Sequence, residues 1–377
     1  MEVFNFLNLM VEKGASDLFF SVGAPVNVKI EGITHPLKMT PLAPGEVRQL
    51  AYSLMNQRQI ADFEAKFELN MSIHAEHLGR FRVNVFMQRG EAGMVIRYIK
   101  SKIPPMAALG LPPVLERLVM LKRGLILVTG ATGSGKSTTL AAMLNFRNEN
   151  TTGHILTIED PIEFIHEHKR SVVDQREVGI DTLSYEEALK NALREAPDVI
   201  MIGEIRDRAT MQQAIAYAET GHLCLSTLHA NNANQAMERI VNFFPEEAHH
   251  QLLTDLSINL AGVVSQRLIP GLHEKLVPAV EVMVQSPYIS DLIAKGEISA
   301  IKEAMGRGND AGTCTFDQAL YALYKEGKID LEEALRNADS RTDLSLRIKL
   351  SAGVDVNETG GLAIEPVLPP KTPYRPH

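Results

Sequence analysis

Cysteine is nearly missing from this 377-residue chain: only Cys224 and Cys314 are present. Two isolated cysteines far apart provide neither a disulfide framework nor a zinc spacing, and a reducing compartment is the simplest reading. Long apolar runs are missing as well. LILV and VIMI are of strand length, well below the roughly 20 residues that cross a bilayer. The opening MEVFNFLNLMVEKG carries an acid at position 2, and its apolar run is too short and interrupted for a signal peptide. A cytoplasmic protein that meets the membrane only through partners is therefore expected. An excess of positive charge is also lacking. With 38 Lys and Arg against 46 Asp and Glu, the net charge of −8 excludes broad non-specific binding to nucleic acid, local basic patches aside.

What is present is the composition of an ordinary soluble protein, 45% hydrophobic and 22% charged, long enough for two or three domains. Residues 1–100 read as a small α+β domain. It has an amphipathic first helix ending near Gly14, then strand-like FRVNVF (81–86) and MVIRYI (94–99) joined through RGEAG. SKIPPMAALGLPP, with its prolines, reads as a linker (101–123 with its flank). From Gly124 to about residue 350, buried runs alternate with helices: GLILVTG, KSTTLAAMLNF, HILTI, DVIMIGE and HLCLSTL. That pattern implies a parallel sheet in an α/β layer fold. Ser184 and Glu187 form a capping box for the helix that follows them. Beyond about residue 235 the chain reads as mostly helical. Five prolines from Pro366 to His377 mark residues 351–377 as a flexible tail.

Three stretches carry chemistry. GATGSGKS (130–137) fits G-x-x-x-x-G-K-[ST] between an apolar strand and a helix, the setting a phosphate-binding P-loop requires. Its Gly130, Gly133 and Gly135 let backbone N–H groups wrap phosphate oxygens, with Thr132, Ser134 and Thr138 in the same cradle. Lys136 reaches the β- and γ-phosphates, and Ser137 offers a hydroxyl to Mg²⁺. DVIMIGEIRD (198–207) is a buried strand ending in Glu204, an acid for the metal once a P-loop precedes it. In HILTIEDPIEF (154–164), Glu159, Asp160 and Glu163 follow a third buried strand. Ligands sit at the carboxyl ends of parallel strands, so these acids face either a nucleotide pocket or, in a capping turn around Pro161, solvent.

GATGSGKSTTLAAML, ILTIEDPIEF, LREAPDVIMIGEIRD and TGHLCLSTLHA occur in the order of the Walker A, Asp box, Walker B and His box of secretion-type hexameric ATPases. Over residues 1–340 the chain resembles the PilT/PilU retraction ATPases of type IV pili. The PilU group is favoured by HANNANQAMERIVNFFPEE, TCTFDQALYALYKEGKI and the extra tail. Where PilT proteins carry an Ala-Ile-Arg sequence, this chain has Ile289 and Ser290.

The resemblance implies a RecA-like P-loop domain behind a smaller PAS-like domain, with ATP and Mg²⁺ as substrate and cofactor. Glu163 becomes the base, Glu204 the Walker B acid, and Arg82 and Arg97 become arginines directed at nucleotide. The partners implied are a homo-hexamer, a PilT-like ATPase and the inner-membrane platform protein, all at the cytoplasmic face of the inner membrane. Two alternatives stand beside a retraction motor. A type II secretion or assembly ATPase would typically carry a four-cysteine insert and a longer N-terminal domain. A regulatory subunit would bind ATP with little turnover.

GHLCLSTLHANN (221–232) admits metal binding, acid–base chemistry or packing. As a strand it would hold His222 and His229 about 23 Å apart on opposite faces, which removes a shared metal. Cys224 then reads as core. The resemblance makes His229 a phosphate-side residue and groups His222 with the nucleotide-binding positions.

Overall fold

The computed structural model describes residues 2–99, 102–307 and 312–351. The first part comprises α1 (Val3–Glu12), β1 (Asp17–Phe20), β2 (Asn27–Ile30), β3 (Ile33–Pro36), α2 (Glu46–Tyr52), α3 (Gln57–Lys66), β4 (Glu68–Ala75), β5 (Gly79–Gln88) and β6 (Glu91–Ile99). The strands form one antiparallel sheet in the order β3-β2-β1-β6-β5-β4. Alternation dictates its faces. Phe81, Val83 and Val85 of β5 are buried, while Arg82 and Asn84 turn to the other side. Val3, Phe6, Leu7 and Met10 of α1 recur at helical spacing and pack into the same core. The β5–β6 connection is a two-residue turn, Arg89-Gly90, with φ of 51° and 80°. Positive φ at both positions matches the twist of the hairpin, and glycine takes the second place at no steric cost.

The second sheet is built from β7 (Gly124–Thr129), β8 (Gly153–Glu159), β9 (Ser171–Glu177), β10 (Val199–Ile202), β11 (Leu223–Leu228), β12 (Leu260–Pro270) and β13 (Leu276–Val284). Their order is β13-β12-β7-β11-β10-β8-β9, and every pairing from β12 to β9 is parallel. Successive residues of one strand serve two layers. Leu125 and Leu127 pack into one core, and Ile126 and Val128 into the core on the opposite face. A sheet buried on both faces needs continuous apolar strands, and β7 and β11 are buried at every position.

The flanking helices include α4 (Val114–Val119), α5 (Lys136–Asn150), α6 (Tyr185–Ala192), α7 (Arg208–Glu219), α8 (Ala233–Asn242), α9 (His249–Asn259), α10 (Pro287–Lys295) and α11 (Ile301–Arg307). Ser184 caps α6 by accepting the Glu187 N–H, and Ser286 caps α10 just before Pro287.

The stretch beyond 235 is mostly helical, as expected, but two long strands, β12 and β13, interrupt it. The apolar run of β12 follows α9 directly, with no glycine or proline between them, so periodicity alone does not mark where helix gives way to strand. The proline-rich segment is also more than a connector. Met106 and Leu111 are buried in the α4–α5 layer.

By compactness the chain divides into residues 1–268 with 278–315, and Ile269–Val277 with residues 316 onward. The latter unit holds α12 (Phe316–Lys325), α13 (Leu331–Asn337) and α14 (Arg341–Ser351). Within it, Asp317 accepts the Asp339 and Ser340 N–H groups at 2.8 and 3.1 Å. The tail expected beyond Ser351 lies outside the described residues.

Asn148, fully buried on α5, ties the segment ahead of β9 in place. Its amide donates to the Glu167 carbonyl at 2.7 Å, and its Oδ1 accepts the Lys169 and Ser171 N–H groups at 3.2 Å. Asn148→Ala strands buried backbone groups, so it is expected to cost about 2 kcal/mol of stability, read as a lowered denaturant midpoint.

Candidate active site

The glycine loop leaves β7 at Thr129 and enters α5 at Lys136. Gly130, Gly133 and Gly135 have φ of 151°, 79° and 91°. A Cβ on Gly130 would stand 2.3 Å from Ser134 Oγ and 2.5 Å from the Gln266 carbonyl, so β12 leaves no room for one. A Cβ on Gly135 would meet Gln266 Nε2 at 2.9 Å, and that amide is fixed by Thr139 Oγ1 donating to its Oε1 at 2.7 Å. No side chain caps α5, so its first N–H groups and positive dipole end face the loop. Ser134 is buried and its Oγ has no hydrogen-bond partner. Lys136 Nζ donates to the Gly130 and Ala131 carbonyls, each at 2.9 Å.

Because β7, β8, β10 and β11 are parallel and adjacent, their carboxyl ends share one edge. A cleft of about 490 Å³ lies there, lined by Thr132, Gly133, Gly135, Lys136, Ser137 and Thr138, and by Glu159, Glu163, Glu204 and His229. Gly130 and Ser134 belong to the loop backbone behind this lining. Two of these groups have shifted ionisation. Burial pushes the Glu159 carboxyl up to about 7, against hydrogen bonds from Thr157 Oγ1 (2.7 Å) and Gln175 Nε2 (3.2 Å) that favour its charge. Burial also lowers the Lys136 ammonium, while Glu204 and Glu163 pull it back up.

Glu204 is held on both oxygens. His229 Nε2 stands 2.8 Å from Oε1, and Arg206 Nε donates to Oε2 at 2.7 Å. Arg206 also lies 4.0 Å from Asp160. Beside them, a Cβ on Gly203 would stand 2.9 Å from the Tyr185 hydroxyl, so tyrosine packs directly on the residue before Glu204.

Three expected residues lie elsewhere. Arg82 and Arg97 face each other across the β5–β6 register and do not line the cleft. Arg82 Nε is 3.9 Å from buried Glu177 on β9, and Arg97 Nε donates to Asp17 at 2.7 Å. Arg97 thus pairs within its own sheet, whereas Arg82 reaches a carboxylate of the parallel sheet. His222, grouped by resemblance with the nucleotide-binding positions, does not line the cleft. It precedes β11, whose six buried residues separate it from His229, and its Nδ1 stands 3.1 Å from Thr220 Oγ1 and 3.2 Å from the Tyr217 carbonyl. Cys224 is fully buried, and desolvation raises its thiol.

Arg206, Tyr185 and His166 in the cleft, and Gln266 behind the loop, are not among the residues expected from sequence. Arg206 could have been noticed two residues after Glu204. Tyr185, His166 and Gln266 carry no local signature, since each reaches the site through tertiary packing.

A double-covered parallel sheet with a glycine loop, strand-end carboxylates and a histidine converging on one cleft defines an α/β ATPase of the secretion type. The Type II/IV secretion system protein family matches residues 3–354. The type IV pilus ATPase PilU of Pseudomonas aeruginosa is 52% identical over 97% of both chains. The type IV pilus retraction ATPase PilT of the same organism is 43% identical over 90% of this chain and 98% of its own. A crystal structure of the pilus retraction motor PilT with bound ADP superposes with a TM-score of 0.86 at 41% identity, covering 92% of this chain and 99% of that one. The chain belongs to the Type II/IV secretion system protein family, within its PilT/PilU branch of type IV pilus retraction ATPases, and it is an ATP hydrolase.

Gly130→Ala is expected to weaken ADP binding at least about tenfold by calorimetry, since the backbone at φ 151° and the Gln266 carbonyl both reject a methyl group. A carboxyl raised on folding stabilises the fold fully below its unfolded value and loses that contribution as pH rises through the folded one. Glu159→Gln should therefore match wild-type stability near pH 4.5 and exceed it progressively up to pH 7, by on the order of 2–3 kcal/mol, in denaturation series across pH.

Proposed function

We propose that the cleft is the hydrolytic site of a RecA-like P-loop motor domain, with residues 1–100 as a PAS-like partner domain, 101–123 as linker and 124–350 as the ATPase domain. The observation that carries this reading is the convergence of four separate segments, the glycine loop, Glu159–Glu163, Glu204 and His229, on one cleft at one sheet edge. Loop amides and Lys136 bind the phosphates, and α5 points its positive end at them. The donor set suits Mg²⁺, because Ser137 and Glu204 are hard oxygen ligands lining the same cleft. When bound there, Mg²⁺ would neutralise charge on the β- and γ-phosphates. Glu163, exposed at the cleft, accepts the proton of the attacking water. His229 holds Glu204 in position and lies where it meets the γ-phosphate.

Arg82 and Arg97 would act when the N-terminal sheet closes on nucleotide, Arg82 leaving Glu177 to do so. In this reading six copies form a ring at the cytoplasmic face of the inner membrane. The ring works through the pilus platform protein and assists a PilT-like motor, as the higher identity to PilU than to PilT favours. Among the described residues no helix is long and apolar enough to cross a membrane, which is compatible with attachment through partners.

Glu163→Gln keeps the shape of the base and removes its basicity. It should lower ATP turnover by about a hundredfold or more while leaving ATP affinity within about twofold, measured by phosphate release and equilibrium binding. Equal turnover in wild type and Glu163→Gln, with or without a PilT-like partner, would overturn the motor reading.

A further inference from the structure

Glu204 is the carboxylate proposed to serve a divalent cation, yet neither of its oxygens is free. Oε1 faces His229 Nε2 at 2.8 Å, and Oε2 accepts from Arg206 Nε at 2.7 Å. The glutamate side chain is 16% exposed, whereas that of Arg206 is 59% exposed. The carboxylate is thus fixed and the guanidinium is held by little besides it, the nearest other charge being Asp160 at 4.0 Å.

The charge balance of the cleft points the same way. Glu159, Asp160, Glu163 and Glu204 all line it. Lys136, which donates to the Gly130 and Ala131 carbonyls, brings one positive charge against these four carboxylates. Arg206 therefore supplies positive charge among the carboxylates. An oxygen already accepting a charge-assisted N–H bond cannot hold a metal or a metal-bound water equally well, and a guanidinium beside a divalent cation is repelled by it.

Resting on the reading of Glu204 as the metal acid, we infer that Arg206 and the divalent cation compete for Glu204. Arg206 neutralises the carboxylate until Mg²⁺ arrives with ATP, and so sets how much Mg²⁺ the site needs. Binding of cation and release of Arg206 are one exchange, whose cost is the lost Arg206–Glu204 pair. The surface position of Arg206 makes its replacement tolerable to the fold.

The test is equilibrium binding of a fluorescent, non-hydrolysable ATP analogue to the full chain, titrated with MgCl₂ and also measured in EDTA. Arg206→Gln is expected to lower the half-saturating Mg²⁺ concentration by about three- to tenfold, because the competitor is gone. It should also weaken binding in EDTA, because the acidic cleft then repels the triphosphate. Arg206→Lys, which keeps charge without the planar fork, should fall between. In a Glu204→Gln background, Arg206→Gln should no longer shift the Mg²⁺ midpoint. An unchanged or raised midpoint in Arg206→Gln, with Glu204→Gln raising it as expected, would overturn the competition. A Glu204→Gln midpoint equal to wild type would instead overturn the assignment of Glu204 to the cation.

Discussion

The packing of Gly130 against β12 sets the geometry on which the cleft depends. The Gln266 carbonyl would stand 2.5 Å from any Cβ there, so the loop can leave β7 at this angle only with glycine at its first position. Gln266 in turn is tied to α5 through Thr139, and Thr129 donates to Ser265 across the β7–β12 ladder at 2.9 Å. Strand, loop and helix are locked by a strand more than a hundred residues away. The loop's N–H groups therefore form a rigid donor surface, and the strand-end carboxylates come to it by parallel register alone.

That register gathers negative charge, and the site manages it by two means. Glu159 is buried and hydrogen-bonded by Thr157 and Gln175, and its desolvation favours the protonated form. Glu204 remains paired with His229 and Arg206. A cleft meant for a polyanion needs its carboxylates restrained in this way, since like charges in a partly dry space oppose both one another and the phosphates.

The two sheets carry different parts of the chemistry. The parallel sheet offers the loop, the acids and His229, while the antiparallel sheet presents Arg82 and Arg97 on one face. Arg82 reaches Glu177 at the end of β9, so the sheets already communicate through an ion pair beside the acidic segment: the Ile162 N–H donates to the same Glu177 carboxylate. A change in the hold on Arg82 thus bears on the backbone one residue from Glu163.

Much was legible before any coordinates. Glycine spacing after an apolar strand located the loop, because few sequences allow backbone to wrap a phosphate. Buried runs ending in acids located Glu159 and Glu204, because parallel strands deliver their ends to one edge. An odd spacing within a strand separated His222 from His229. What stayed hidden were relations across the fold. That β12 inserts beside β7, that Gln266 backs the loop and that Tyr185 packs on Gly203 depend on which surfaces meet. Local pattern encodes an element's type and the direction of its side chains, whereas a partner more than a hundred residues away is chosen by packing and by the need to satisfy buried polar groups. The kind of chemistry was therefore the sequence's own to determine, and the pairing of each charged group was decided by tertiary structure.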